Sequence, residues 1–137
     1  MTEYQRKKNN PYHLPHALYM QTVYAIRDYH RLKDQLNDKY GLRAVANDGQ
    51  PHGTGKSDPT AQQAMELYDS YAAYMCRVID DALLEIPEEY RRGVWDNIQS
   101  YTRFPDDAHR NTYGRWKARF IYIVSQKIVQ QGKKQGV

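Results

Sequence analysis

The chain has 137 residues with one cysteine, and 20 Lys or Arg against 16 Asp or Glu give a net charge of +4. This length allows one domain with a real core and excludes two, and the lone cysteine excludes an internal disulfide framework. The chain has no N-terminal apolar run, so the sequence predicts neither a signal peptide nor a membrane span. The expected location is therefore the cytoplasm.

Residues 1–13 contain Arg6, Lys7 and Lys8 and lack helical periodicity, which predicts a basic flexible tail. Residues 14–137 are then predicted to form a single helical domain. A first helix is expected near residues 15–40, because Pro15 suits a first helical turn and Gly41 a helix stop.

The segment 41–58 is rich in Gly, Asn, Asp and Ser, and a stretch this long without a pattern predicts a mobile loop. It includes Gly55-Lys56-Ser57, which matches the end of a phosphate-binding loop. Gln50 stands where that loop needs its first glycine and no strand precedes it, so we favour an ordinary loop. A second helix over 59–86 carries the strongest apolar stripe of the chain.

A third helix is expected over 87–101, after the break at Pro87. Glu88 and Glu89 suit the positive end of its dipole. Residues 102–110 form a turn, and Asn111 caps a fourth helix over 111–131. No segment alternates in polarity long enough for a strand. The prediction is an all-α fold, with two long antiparallel helices followed by a shorter helix pair. The residues expected to be largely buried in its core are Met75, Ile79, Leu83, Ile98, Trp116, Phe120 and Val124.

The fourth helix separates its side chains into two faces. The apolar face consists of Tyr113, Trp116, Phe120, Ile123, Val124 and Ile128. The other face consists of Arg115, Arg119, Tyr122 and Gln126. Residues 101–137 hold eight Lys or Arg against two Asp, a formal +6, whereas residues 14–100 are acidic. Such a helix is either presented to a polyanion or merely solvated on its basic side.

Nothing in the sequence favours an enzyme. Adjacent carboxylates, as at Asp80 and Asp81, point about 100° apart on a helix and do not converge on a substrate. The five His are scattered, and Cys76 lies beside a core stripe. We therefore predict no catalytic residue, no metal and no cofactor.

The runs Ile86-Pro87-Glu88-Glu89-Tyr90, Val94-Trp95-Asp96-Asn97-Ile98 and Asn111 to Ile121 resemble small prophage proteins, the RinA/ArpU-type late transcriptional regulators. The resemblance covers residues 60–131. It implies a C-terminal half related to the helix-turn-helix of sigma-factor region four, here degenerate, with the last helix at the DNA. A regular helix-turn-helix has a full supporting helix and a turn of three to four residues, whereas only 103–110 is available here.

The sequence thus predicts a small phage-derived regulator that binds double-stranded DNA, as a homodimer. The residues predicted to contact nucleic acid are Arg6, Lys7, Lys8, Arg110, Thr112, Arg115, Lys117, Arg119, Tyr122 and Gln126. The alternative is a non-enzymatic interaction module, either a phage packaging or assembly component or an inhibitor of a host defence nuclease, with a host or phage protein as its partner.

Overall fold

A computed structural model describes Glu3 and residues 5–39 and 59–134, and it defines side chains for residues 3, 5–37 and 71–131. The loop predicted at 41–58, with its Gly55-Lys56-Ser57 sequence, lies outside the described residues.

The described chain is all-α, as predicted, and contains no strand. Its five helices are α1 (His16–Arg27), α2 (Tyr29–Lys39), α3 (Pro59–Leu84), α4 (Glu88–Ser100) and α5 (Arg110–Lys134).

The single helix predicted over 15–40 is wrong, because the chain leaves helical geometry at Asp28 and divides this segment into α1 and α2. Asp is a weak helix former whose side chain favours turns. Here the carboxylate accepts hydrogen bonds from the Arg31 guanidinium, which lowers the pKa of Asp28. The Leu32 N–H bonds to the Asp28 carbonyl at 3.1 Å and starts the next helix. Hydrophobic periodicity runs through this break and does not reveal it.

The chain forms two compact units, and one of the boundaries between them is at Asp28. One unit consists of Met1–Arg27 with Val78–Val137, and the other of Asp28–Arg77. In the second unit, buried side chains include Leu32, Ala72, Met75 and Cys76.

The first unit is built on α1, α4 and α5, which pack pairwise against one another. Its buried residues include Val23, Ile26, Ile79, Ile98, Phe120 and Val124. Among the residues predicted to form the core, Ile79, Ile98, Phe120 and Val124 are buried in this unit, and Met75 is buried in the second unit. Leu83 and Trp116, also expected in the core, are only half-buried.

Helix boundaries in the first unit follow local chemistry. Pro87 separates α3 from α4, and Glu88 and Glu89 occupy the first turn of α4, as predicted. Tyr101 ends α4 in the left-handed region, with φ 58°. The predicted cap at Asn111 is wrong. Helix α5 begins at Arg110, and His109 Nδ1 accepts the Asn111 backbone N–H at 3.0 Å.

Candidate nucleic-acid interface

Residues 5–14, called the arm below, form a closed loop in place of the predicted tail. The Gln5 side chain closes it by donating to the Leu14 carbonyl and accepting the Leu14 N–H at 2.9 Å. Asn10 crosses the loop, donating to the Arg6 carbonyl at 2.7 Å and accepting the Tyr12 N–H at 2.9 Å. Asn9 makes the turn at φ 54°, a conformation that Asn tolerates better than most residues. Amide side chains thus replace the backbone pairing of a helix or sheet.

Glu3 anchors the chain immediately before the arm. Its side chain is 2% exposed and forms ion pairs with Lys117, at 2.7 Å, and with Arg27, at 3.3 Å. The Tyr19 hydroxyl donates to the same carboxylate at 2.7 Å. Burial, together with this hydrogen bond, raises the pKa of Tyr19. Arg27 also donates to the Ile98 carbonyl at 2.8 Å. The buried carboxylate therefore has two cations and a hydroxyl, the partners that burying a charge requires.

Lys117 is one of the residues predicted to contact nucleic acid, and the structure places it in this buried cluster. Its side chain is 15% exposed and its ammonium group lies on Glu3. Lys117 therefore fixes the N-terminal segment to α5 and is occupied by an internal partner.

Two clefts lie where the arm meets the first half of α5. The first cleft has a volume of about 840 Å³, and its lining includes Lys7, Lys8, Arg110 and Lys117. The second cleft has a volume of about 530 Å³, and its lining includes Arg115 and Arg119. Arg6 lines both clefts. The two linings together contain seven Lys or Arg and a single carboxylate, Glu3, whose charge is already paired.

Most of the predicted basic residues are therefore brought together, although residues 6–8 and 110–119 are far apart in the sequence. Lys7, Lys8, Arg110 and Arg115 are exposed and form no ion pair with the described carboxylates. Arg119 lies 3.4 Å from Glu85, with side chains 40% and 55% exposed. An exposed pair of this kind contributes little and is readily exchanged for another partner.

The remaining predicted residues differ in position. Thr112 is half-buried and lines the second cleft. Tyr122 packs on Tyr12 of the arm, with ring centroids 5.3 Å apart. The Gln126 amide donates to the Ser125 hydroxyl at 3.4 Å, further along α5. The clefts also include residues that the sequence did not single out, notably Tyr12, Gly114 and Ala118.

The connection between α4 and α5, residues 101–109, is longer than the turn of a regular helix-turn-helix. It is packed through Phe104, whose ring stacks on Tyr113 at 5.2 Å. The Tyr113 hydroxyl donates to Asp107, and this hydrogen bond, with burial, raises the pKa of Tyr113 to about 12. The likeness to a helix-turn-helix stays a prediction.

The chain matches no protein-family model, and no curated protein or solved structure is significantly similar to it. None of the helices in the described residues is both long and apolar enough to cross a membrane. Within residues 3, 5–37 and 71–131, no three His, Cys, Asp or Glu side chains group in a way that could hold a metal ion.

Proposed function

We propose that the protein binds double-stranded DNA through the surface formed by the arm and the first half of α5. The observation that carries the proposal is the composition of the two clefts. Arg6, Lys7, Lys8, Arg110, Arg115 and Arg119 surround them, while the single carboxylate is buried and paired. DNA carries a negative charge every few ångströms, and cations that neutralise its phosphates gain affinity because the counterions condensed on the DNA are released.

The order of the arm supports the same function. A disordered basic tail would lose conformational entropy as it became ordered on binding. The free energy of its contacts with DNA would have to offset that loss. Here Gln5 and Asn10 already hold the loop closed, and Glu3 anchors its start. Arg6, Lys7 and Lys8 are thus preorganised beside Arg110 and Arg115.

We extend the proposal to transcription regulation on the resemblance of residues 60–131 to the RinA/ArpU-type regulators. In this proposal, contacts to phosphate dominate, and binding does not require deep insertion of α5 into the major groove. The homodimer predicted from the sequence would place two such surfaces on one duplex, and sedimentation at micromolar concentration tests it.

The test is fluorescence anisotropy with a labelled blunt duplex of random sequence over a salt series. Each phosphate contact contributes about −0.9 to the slope of log affinity against log salt, so five or six contacts predict a slope of about −5. Arg115→Ala should weaken binding at every salt concentration and reduce the slope by about one unit.

Arg92→Ala is the matched control, because it also removes one positive charge. Arg92 lies in α4 outside the clefts, and its side chain is 89% exposed and pairs with Asp96. Its slope should equal that of the unaltered protein. If both variants weaken binding equally, the arm and α5 are not the contact surface. If the protein shows no binding even at low salt, the DNA proposal fails and the interaction module remains.

A further inference from the structure

Gly114 lies within the second turn of α5, where glycine is disfavoured relative to alanine. Neither backbone geometry nor packing requires it, since its φ is not positive and a Cβ added there would meet no described atom within 4 Å. Gly93 in α4 differs, because an added Cβ would lie 2.6 Å from Tyr113 and 2.8 Å from Pro105. Gly93 is needed for close packing, whereas Gly114 leaves open space.

Gly114 lines both clefts, and the second cleft combines it with aromatic side chains and arginines. Ala118 lies one turn further along α5, so two small residues adjoin on one side of the helix. The aromatic side chains of Tyr12 and Trp116 also line this cleft. Trp116 is braced by Tyr90, whose ring stacks with it at a centroid distance of 6.5 Å and an interplanar angle of 19°.

The polar part of the second cleft is cationic. Its charged lining residues are Arg6, Arg115 and Arg119, beside the neutral Asn9, Asn10 and Thr112, and no carboxylate is among them. The Arg119 guanidinium carbon lies 5.9 Å from the centroid of a Trp116 ring. Glycine without a structural reason is typical of a place where a ligand approaches the backbone closely. Aromatic rings beside arginines are the combination that holds an unpaired base together with its phosphates.

We propose that the second cleft takes one unpaired nucleobase of a DNA strand. The base lies over Gly114 and Ala118 against Tyr12 and Trp116, and its neighbouring phosphates lie on Arg6 and Arg115. The inference rests on the proposed function, since the adjoining duplex is bound by the same arm and helix. A blunt duplex offers no free base, so the preferred ligand is a duplex with a single-stranded end.

The experiment compares a blunt duplex with the same duplex carrying a short thymidine overhang, both measured by anisotropy. A stacked base is worth roughly 5- to 150-fold in affinity, so the overhang should bind tighter by a factor in that range. Gly114→Leu fills the cleft without changing charge. It should abolish the preference for the overhang, measured as the ratio of the affinities for the two duplexes.

Gln130→Leu is the control for adding a leucine to α5, because Gln130 is exposed and outside both clefts. This variant should keep the preference. A Trp95→Phe variant leaves Trp116 as the only tryptophan, and its fluorescence should be quenched by the overhang and not by the blunt duplex. This measurement does not depend on the folding of the Gly114 variant.

Equal affinity for both duplexes, with no quenching of Trp116, would overturn the base-binding cleft. A steep salt dependence in that same experiment would leave the proposed DNA binding intact. A preference for the overhang that survives Gly114→Leu would place the base elsewhere and also overturn the inference. If neither duplex binds at low salt, the proposed function and the inference fail together.

Discussion

Gly93 in α4 and Gly114 in α5 lie in two regions that differ in packing. Around Gly93, the rings of Tyr113 and Pro105 occupy the space that a Cβ would need, so α4 and α5 pack in close contact. Around Gly114, the next residue after Tyr113, that space is empty and opens into the two clefts. One side of α5 therefore packs against α4, and the neighbouring side is open. A vacant, cation-lined side on a well-packed helix is expected of a surface kept for a ligand.

The largest effect should come from the packed side. Phe120 is fully buried in α5, and Phe120→Ala should lower the free energy of unfolding by about 3–5 kcal/mol, because it removes apolar contact and leaves a cavity. Chemical denaturation measures this. Val129→Ala, at a residue of α5 that is 37% exposed, is the control and should change stability by less than about 1 kcal/mol. Similar losses for the two variants would mean that Phe120 is not part of the core.

Gly93→Ala should have the next largest effect. Its methyl group would lie 2.6 Å from a Tyr113 ring carbon, and that ring is itself buried and stacked on Phe104. Overpacking of this kind costs about 1–3 kcal/mol, which exceeds the gain from replacing a helical glycine. A thermal midpoint equal to or above that of the unaltered protein would show that α4 and α5 are not in close contact here.

Gly114→Ala should change stability in the opposite direction. The added methyl group meets no described atom within 4 Å, while alanine is the better helix former, so unfolding should require about 0.5–1 kcal/mol more. The two Gly→Ala variants thus form a pair with opposite signs, measured in the same thermal melts. A destabilised Gly114→Ala protein would remove the distinction between the packed and the open side.

The smallest effect concerns alkaline pH. The pKa of Tyr113 is raised to about 12 from an ordinary 10.0, so the unfolded chain releases this proton at lower pH than the folded chain. The corresponding stability is fully present below pH 10 and is lost as pH rises from there toward 12. Tyr113→Phe should therefore lose less stability between pH 10 and 12 than the unaltered protein does. An identical loss would assign the alkaline effect to other groups, Tyr19 among them.

The sequence predicts the helices better than it predicts the interface. Pro87, Glu88 and Glu89 locate the start of α4, because proline and carboxylates have strong positional preferences at helix starts. The break at Asp28 is invisible to periodicity, since Leu18, Ala25 and Leu32 keep a seven-residue helical spacing across it. The buried face of α5 is likewise rotated about the helix axis from the face that periodicity predicts. Periodicity predicts an apolar face, and the neighbours decide which edge of that face is covered, here Ile121 and Ser125 rather than Trp116.

The basic residues of the candidate site could be picked out from the sequence, but their geometry could not. Arg115 and Arg119 follow from helical spacing alone. The arrival of Arg6, Lys7 and Lys8 at the same clefts depends on contacts between residues distant in the sequence, such as Glu3 with Lys117. The role of Gly114 likewise depends on what lies around it. No local pattern distinguishes a glycine kept for space from one kept for packing.

The ion pair between Glu3 and Lys117 spans 114 positions of the chain, which has a consequence for how the protein is made. Closing so long a loop is entropically costly, and contacts of high sequence separation form late in folding. During translation, Glu3 lacks its Lys117 partner until residue 117 has left the ribosome, whereas α1, which carries Tyr19 and Arg27, can already form. The basic surface is consequently among the last parts to be assembled. A nascent chain carries Arg6, Lys7 and Lys8 long before it has the geometry that organises them.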